Sequence, residues 1–189
     1  ICLLTFVSPG NVMIFSNFVS MEGLQTLKIY LTLFGYNKFL NKSKSSNGMS
    51  YSEYTGDVKI KDPLKDIFNE KENKDGKFIK IFLISPSGSE GINLLNVRQV
   101  HILEPSWQSV VNDQVVGRAI RQDSHFDLPP EERHVDVFKF ITYIKTPDPK
   151  IAQNDMSTDE FIENIAQKKS YLNNQFLNAM KEVAMDCQL

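Results

Sequence analysis

Residues 77–85, KFIKIFLIS, form an apolar run the length of one strand, and they lead into a loop of small residues, PSGSEGINL. A strand apolar on both faces needs cover on both sides, which points to the interior of a parallel sheet. No other feature narrows the fold as much. Around it the same theme returns. NVMIFSNF (residues 11–18), YSEYTGD, RQVHILE (98–104) and HVDVFKFITYI (134–144) each read as a strand. Between them lie helical patterns. Leu24, Leu27, Leu31 and Phe34 share one face, with Gly35 as the C-cap, and Asp62-Pro63 has the N-cap and N1 chemistry of a second helix. Residues 41–48, NKSKSSNG, read as a polar loop. Strands alternating with helices at these lengths predict an open, mostly parallel α/β sheet with helices on both faces.

The tail follows a different rule. After KTPDPKIAQND, Ser157 and Glu160 have capping-box spacing, and Phe161, Ile165, Leu172, Phe176, Met180 and Val183 trace a helical stripe. This predicts one long amphipathic helix, or two, packing on the domain or on a missing neighbour. The expected organisation is a sheet domain over 1–145, a linker over 146–157 and a helical extension over 158–189. The start without methionine and the stop soon after a helical pattern lead to the expectation of a piece of a longer chain.

Composition excludes several classes. A net charge of −2 argues against a basic coat for nucleic acid, although local basic sites are compatible with it. ICLLTFV at the start is too short to span a bilayer, and no membrane is expected as a partner. Cys2 and Cys187 form no spacing motif, and His101, His125 and His134 are scattered, so neither a disulfide framework nor a metal site is expected. A reducing, intracellular compartment fits.

The chemistry concentrates in two stretches. In QVVGRAIR, a helix places Gln114, Arg118 and Arg121 at i, i+4 and i+7, on one face with Gly117, while Val116 and Ile120 turn towards a core. Glycine inside a helix costs about 1 kcal/mol relative to alanine, so something must offset it. Two guanidiniums beside a glycine gap suit a multiply charged anion, because each planar fork can donate paired hydrogen bonds to phosphate oxygens. A solvated helix face with two surface arginines is the plainer alternative. The loop SGSEGINL follows the buried strand at the carboxyl end of the sheet, where ligands of such folds bind. There Glu90, between Gly88 and Gly91, could accept from a sugar hydroxyl or from an arginine, or be merely solvated.

Together, SGSEGINLLNVRQVHILEPSWQSVVNDQVVGRAIRQDSH resembles motifs V and VI of superfamily 2 helicases, and VMIFSNF resembles motif IV. GRAIRQDSHFDLPPEERHVDVFKF and the tail are most similar to the helicase-type nucleoside triphosphatases of poxviruses and other nucleocytoplasmic large DNA viruses, which are Swi/Snf-like. The resemblance implies the second, C-terminal RecA-like lobe of a two-lobed ATP-dependent DNA motor, acting in transcription or genome handling. It implies ATP in the cleft between lobes, with magnesium held by the missing first lobe. No G-x-x-x-x-G-K-[ST] occurs in the chain, so at most half an active site is expected, and the fragment alone should be inactive.

By position, Arg121 matches the arginine finger, Arg118 its partner on the same phosphate, and Gln114 the leading polar residue of motif VI. Glu90, Gly91 and Gly117 fall on the nucleotide side. Ser16, Asn17, Thr55, Gly56 and Ser85 are the candidates for the nucleic-acid backbone, with ordinary strand-end capping as their alternative. Trp107 matches a tryptophan of remodelling ATPases, and a half-buried anchor is the plainer reading. Ser85-Pro86 departs from the threonine-arginine pair of many relatives, which weakens a further basic contact. The implied partners are the first lobe of the same polypeptide, DNA with RNA as the alternative, and a viral RNA polymerase. The implied locations are the virion and host cytoplasm, or the nucleus for a cellular Swi/Snf-type remodeller. A non-catalytic lobe serving as a protein-binding platform is the rival from a different class.

Overall fold

The computed structural model describes residues 5, 7–21, 23–42, 49–56, 62–89, 91–144 and 156–184. Glu90, Cys2, Cys187, and most of the 41–48 loop and the 146–157 linker lie outside them. Six strands form one sheet: β1 (Asn11–Phe15), β2 (Asn37–Lys38), β3 (Ser50–Tyr54), β4 (Ile81–Ile84), β5 (Val97–Ile102) and β6 (Asp136–Lys139). Their order is β2-β3-β4-β1-β5-β6, and every pairing is parallel. The helices are α1 (Leu24–Leu33), α2 (Asp62–Phe68), α3 (Pro86–Ser89), α4 (Ser109–Ala119) and α5 (Thr158–Val183).

The side-chain period of two sorts the central strands between two cores. Val12 and Ile14 of β1, with Ile81 and Leu83 of β4, meet Leu24, Leu27 and Leu31 of α1. Met13 and Phe15, with Phe82 and Ile84, meet Phe68 of α2 and Val115 and Ala119 of α4 on the other face. β1 therefore feeds a helix on one face, while its neighbours β4 and β5 feed elements on the other. In sheets of this kind ligands bind outside the carboxyl ends of the strands where such a divergence occurs. β5 carries a register shift against β1, from Asn11↔Val97 to Val12↔Gln99. The extra residue turns Gln99 and His101 away from the Val97, Val100 and Ile102 core.

Several expected strands are shorter than read. The strand expected over 77–85 begins only at Ile81, because the Phe78 and Ile79 N–H groups donate to the buried Asn73 side chain instead of a ladder. The one expected over 134–144 is confined to Asp136–Lys139, an edge strand paired with β5 alone. Further on, Thr142 exchanges hydrogen bonds with the Asp159 and Ser157 side chains. The first strand ends at Phe15, where Ser16 starts a turn.

The chain divides into two compact units, 1–103 with 114–140, and 104–113 with 141–189. In the second, Ser157 and Glu160 form a full capping box on α5. Trp107 stands edge-on to Phe161 at 6.4 Å, Ser109 Oγ donates to Ser170 Oγ, and Lys169 Nζ donates to the Trp107 carbonyl. The expected apolar stripe of α5 is not a buried face. Phe161, Leu172, Phe176, Met180 and Val183 stay at least half exposed, and Ala166 is the buried residue of that helix. No helix of the described residues is long and apolar enough to cross a membrane.

Candidate functional site

Helix α4 stops at Ala119, two residues before Arg121. The expected i, i+4, i+7 face is therefore corrected. Gln114 and Arg118 share a helical face, but Arg121 sits in the turn beyond it. The helix ends there because its last carbonyls find partners from outside, as orphan carbonyls at a helix end require. The Arg118 carbonyl accepts from Leu94 N–H at 3.1 Å, and the Ala119 carbonyl lies 3.2 Å from Ser124 Oγ. Asp123 takes a positive φ of 61°, which reverses the chain. The core assignment of α4 also shifts by a residue. Val115 and Ala119 are buried and Val116 partly so, whereas Ile120, expected inside, is half exposed.

A second strand of contacts holds the turn. Ser124 Oγ accepts from the Arg121 N–H at 3.3 Å and lies 2.8 Å from His125 Nδ1. His125 Nε2 is 2.7 Å from the Val97 carbonyl. A carbonyl can only accept, so Nε2 carries the hydrogen; the single hydrogen of the Ser124 hydroxyl then has two acceptors in reach, Nδ1 and the Ala119 carbonyl, and serves one of them at a time. The Ser124 carbonyl in turn accepts from Asn96 N–H at 2.8 Å. Residues 94–97, which lead from the loop into β5, thus clamp residues 118–125 at three points. Sequence reading did not single out Ser124 and His125 for this; the adjacent S-H pair is the only signal that could have.

Within that frame the chemistry-bearing side chains are free. Among the described residues, neither the Arg118 nor the Arg121 guanidinium has a hydrogen bond or ion pair, and Gln114 and Arg121 are exposed. A Cβ built on Gly117 would meet nothing within 4 Å, so no packing among the described residues demands glycine there. Gly91 has a φ of 72° with nothing near its would-be Cβ, so it is glycine for its backbone angle. Glu90 lies outside the described residues.

The nucleic-acid candidates form a row. Phe15 and Tyr54 are both in register with Ile84, so Ser16, Thr55 and Ser85 each stand one residue past the end of three adjacent strands. All three are almost completely buried. Ser16 Oγ donates to the Phe18 carbonyl and accepts from its N–H, and Ser85 Oγ lies 3.0 Å from Ser87 Oγ. These hydroxyls shape turns, and Asn17 and Gly56 are the more accessible members. Gly56 packs against Ser87. Trp107 is half exposed, consistent with an anchor that keeps one face in solvent. Among the described residues no group of three His, Cys, Asp or Glu could hold a metal ion.

An all-parallel sheet with a clamped pair of free arginines at its carboxyl edge defines a class. The chain belongs to the helicase conserved C-terminal domain family, whose model matches residues 1–123, and it has the RecA-like fold of a superfamily 2 helicase C-terminal lobe. Its relatives narrow this further. It is 46% identical, over its whole length, to a protein of Acanthamoeba polyphaga mimivirus that carries the name of an ATP-dependent RNA helicase, of which it covers 23%. It is 32% identical over 99% of its length to a termination factor NPH-I homolog of African swine fever virus, covering 32% of that protein. The chain thus spans a quarter to a third of these relatives. In fold it is similar to the C-terminal part of the Fun30 ATPase domain, with a TM-score of 0.55 and 24% identity over 83% of this chain and 39% of that one.

Proposed function

We propose that this chain is the C-terminal motor lobe of a virus-type, ATP-dependent nucleic-acid translocase used in transcription or genome handling. The observation that carries this reading is the pair of guanidiniums, Arg118 and Arg121, without partners among the described residues, beside the open Gly117. A surface arginine pair on a scaffold has no need of a glycine between anchor points or of a three-point clamp behind it. ATP is the substrate, with magnesium held by the first lobe of the same polypeptide. Arg121 meets the γ-phosphate when the lobes close, Arg118 supports it on the same phosphate, and Gln114 orients the nucleotide end of the helix. Glu90 and Gly91 face the ribose side.

The row at Ser16, Asn17, Thr55, Gly56 and Ser85 holds the backbone of the nucleic acid. Because three of its hydroxyls are buried, the contacts come from turn N–H groups and from Asn17, which position phosphates without reading bases. Each cycle of lobe closure and release then advances the strand. The proposed partners beyond the first lobe are DNA and a viral RNA polymerase. The name of the mimivirus relative speaks for RNA as the second reading of the substrate.

The test is ATP hydrolysis by the full-length polypeptide with DNA, with RNA of equal length, and with neither. An arginine finger contributes about 10³ to 10⁵ in turnover. Arg121→Ala should therefore lower kcat at least about a hundredfold while ATP still binds. Hydrolysis at the wild-type rate would make the arginine turn a scaffold and bring the binding-platform reading forward. Stimulation by one polymer and not the other assigns the substrate.

A further inference from the structure

Arg121 stands beyond the end of α4, so helix geometry does not fix its backbone. Two side chains outside the proposed nucleotide site do. We propose that Ser124 and His125 are positioning residues for Arg121, a relay that locks the arginine turn to β5. The proposal rests on Arg121 being the finger.

The geometry runs in one line. The Arg121 N–H donates to Ser124 Oγ, that oxygen meets His125 Nδ1 at 2.8 Å, and His125 Nε2 donates to the Val97 carbonyl at 2.7 Å. Val97 is a wholly buried residue of the sheet core, so the relay ends inside the packed interior of the lobe. Ser124 is 2% exposed, and its one hydroxyl hydrogen has a second acceptor in reach, the carbonyl of Ala119, the last residue of the helix. Ser124 thus touches both the end of the helix that carries Arg118 and the backbone of Arg121. A long exposed arginine samples many rotamers, and only its backbone can be held in advance. Holding the backbone cuts the reorganisation left for the moment of lobe closure.

Three properties of this relay separate positioning from mere stability. It acts through one residue, it requires a hydroxyl and a ring nitrogen at set places, and it influences the closed state more than ATP affinity. The full-length polypeptide is assayed for kcat and KM as wild type, Ser124→Ala, His125→Gln, His125→Asn and Arg121→Ala, and as the Ser124→Ala/Arg121→Ala double variant, each with its melting midpoint. Ser124→Ala removes only the hydroxyl. His125→Gln keeps a donor for Val97, and His125→Asn keeps an acceptor near Ser124. Displacement of a catalytic group by about 1 Å can cost about a hundredfold. The expected result is a loss of about ten- to a hundredfold in kcat for Ser124→Ala, with KM for ATP within about twofold of wild type. In the Arg121→Ala background, Ser124→Ala should cost nothing more, because residues acting as a unit are not additive.

A wild-type kcat for both Ser124→Ala and His125→Gln would overturn the proposal while leaving the finger intact. So would equal losses from Ser124→Ala in both backgrounds, the mark of a loosened lobe. Should Ser124→Ala fail to fold, the two histidine variants carry the same comparison. If Arg121→Ala itself keeps full activity, the finger reading fails first and the relay falls with it.

Discussion

His101 lies wholly inside the lobe, its ring stacked against Phe138 at 4.9 Å and Phe140 at 5.8 Å, with Nε2 against Gln99 Oε1 and a buried Nδ1 without a partner among the described residues. Burial disfavours its charged form and pushes its pKa down from 6.5 to about 4. Between those values the unfolded chain takes up a proton that the folded chain refuses. Its contribution is therefore complete above pH 6.5 and is lost as pH falls towards 4, amounting to roughly 3 kcal/mol. Glu53 acts in a lower window. Burial raises its pKa, but the hydrogen bonds and charges of Lys28 and Lys38, each 2.8 Å away, outweigh that and hold it below 4.5. Its contribution is present above 4.5 and fades below. Urea midpoints should thus fall between pH 7 and pH 5 in the wild type, and His101→Phe should flatten that fall. An equal slope in both proteins would show that another group titrates. In sequence His101 was one of three scattered histidines, and only the bulge in β5 decided which way its ring faces.

Gly117 shows how an element can be built against its own stability. Inside α4 it costs about 1 kcal/mol relative to alanine, and nothing in the described lobe would collide with a methyl group there. Gly117→Ala should therefore raise the unfolding free energy of this chain by about 1 kcal/mol, read by denaturant unfolding. In the full-length polypeptide the same change should lower ATP turnover on the proposed reading, in which the added methyl would stand where nucleotide or the first lobe approaches. A stabilised variant with unchanged turnover would make the glycine incidental. The opposite pattern belongs to Gly91, whose φ of 72° makes any side chain costly whatever the space around it. Elements of this kind were legible by type but not by ending. Propensity does not know that Leu94 and Ser124 will supply the partners that stop α4, or that Asn73 will capture the N–H groups of Phe78 and Ile79.

For the whole molecule, the consequence of its inventory is direct. The chain holds the arginine pair proposed for a phosphate but no G-x-x-x-x-G-K-[ST] loop. Alone it should release no phosphate from ATP above background, with or without nucleic acid, in a colorimetric phosphate assay. Turnover by the isolated chain would mean that a second catalytic arrangement exists. The alternation of buried strands with amphipathic helices determined an α/β sheet, because period and length are local properties that burial imposes on each segment. The same local logic marked the motif V loop, the arginine pair and the capping box of α5. Tertiary structure alone decided the rest: the order β2-β3-β4-β1-β5-β6, the exit of Arg121 from its helix, the burial of Ser16, Thr55 and Ser85, and the exposed stripe of α5. Each depends on which distant backbone group reaches a carbonyl or covers a face, and such pairings are settled only when the strands find one another.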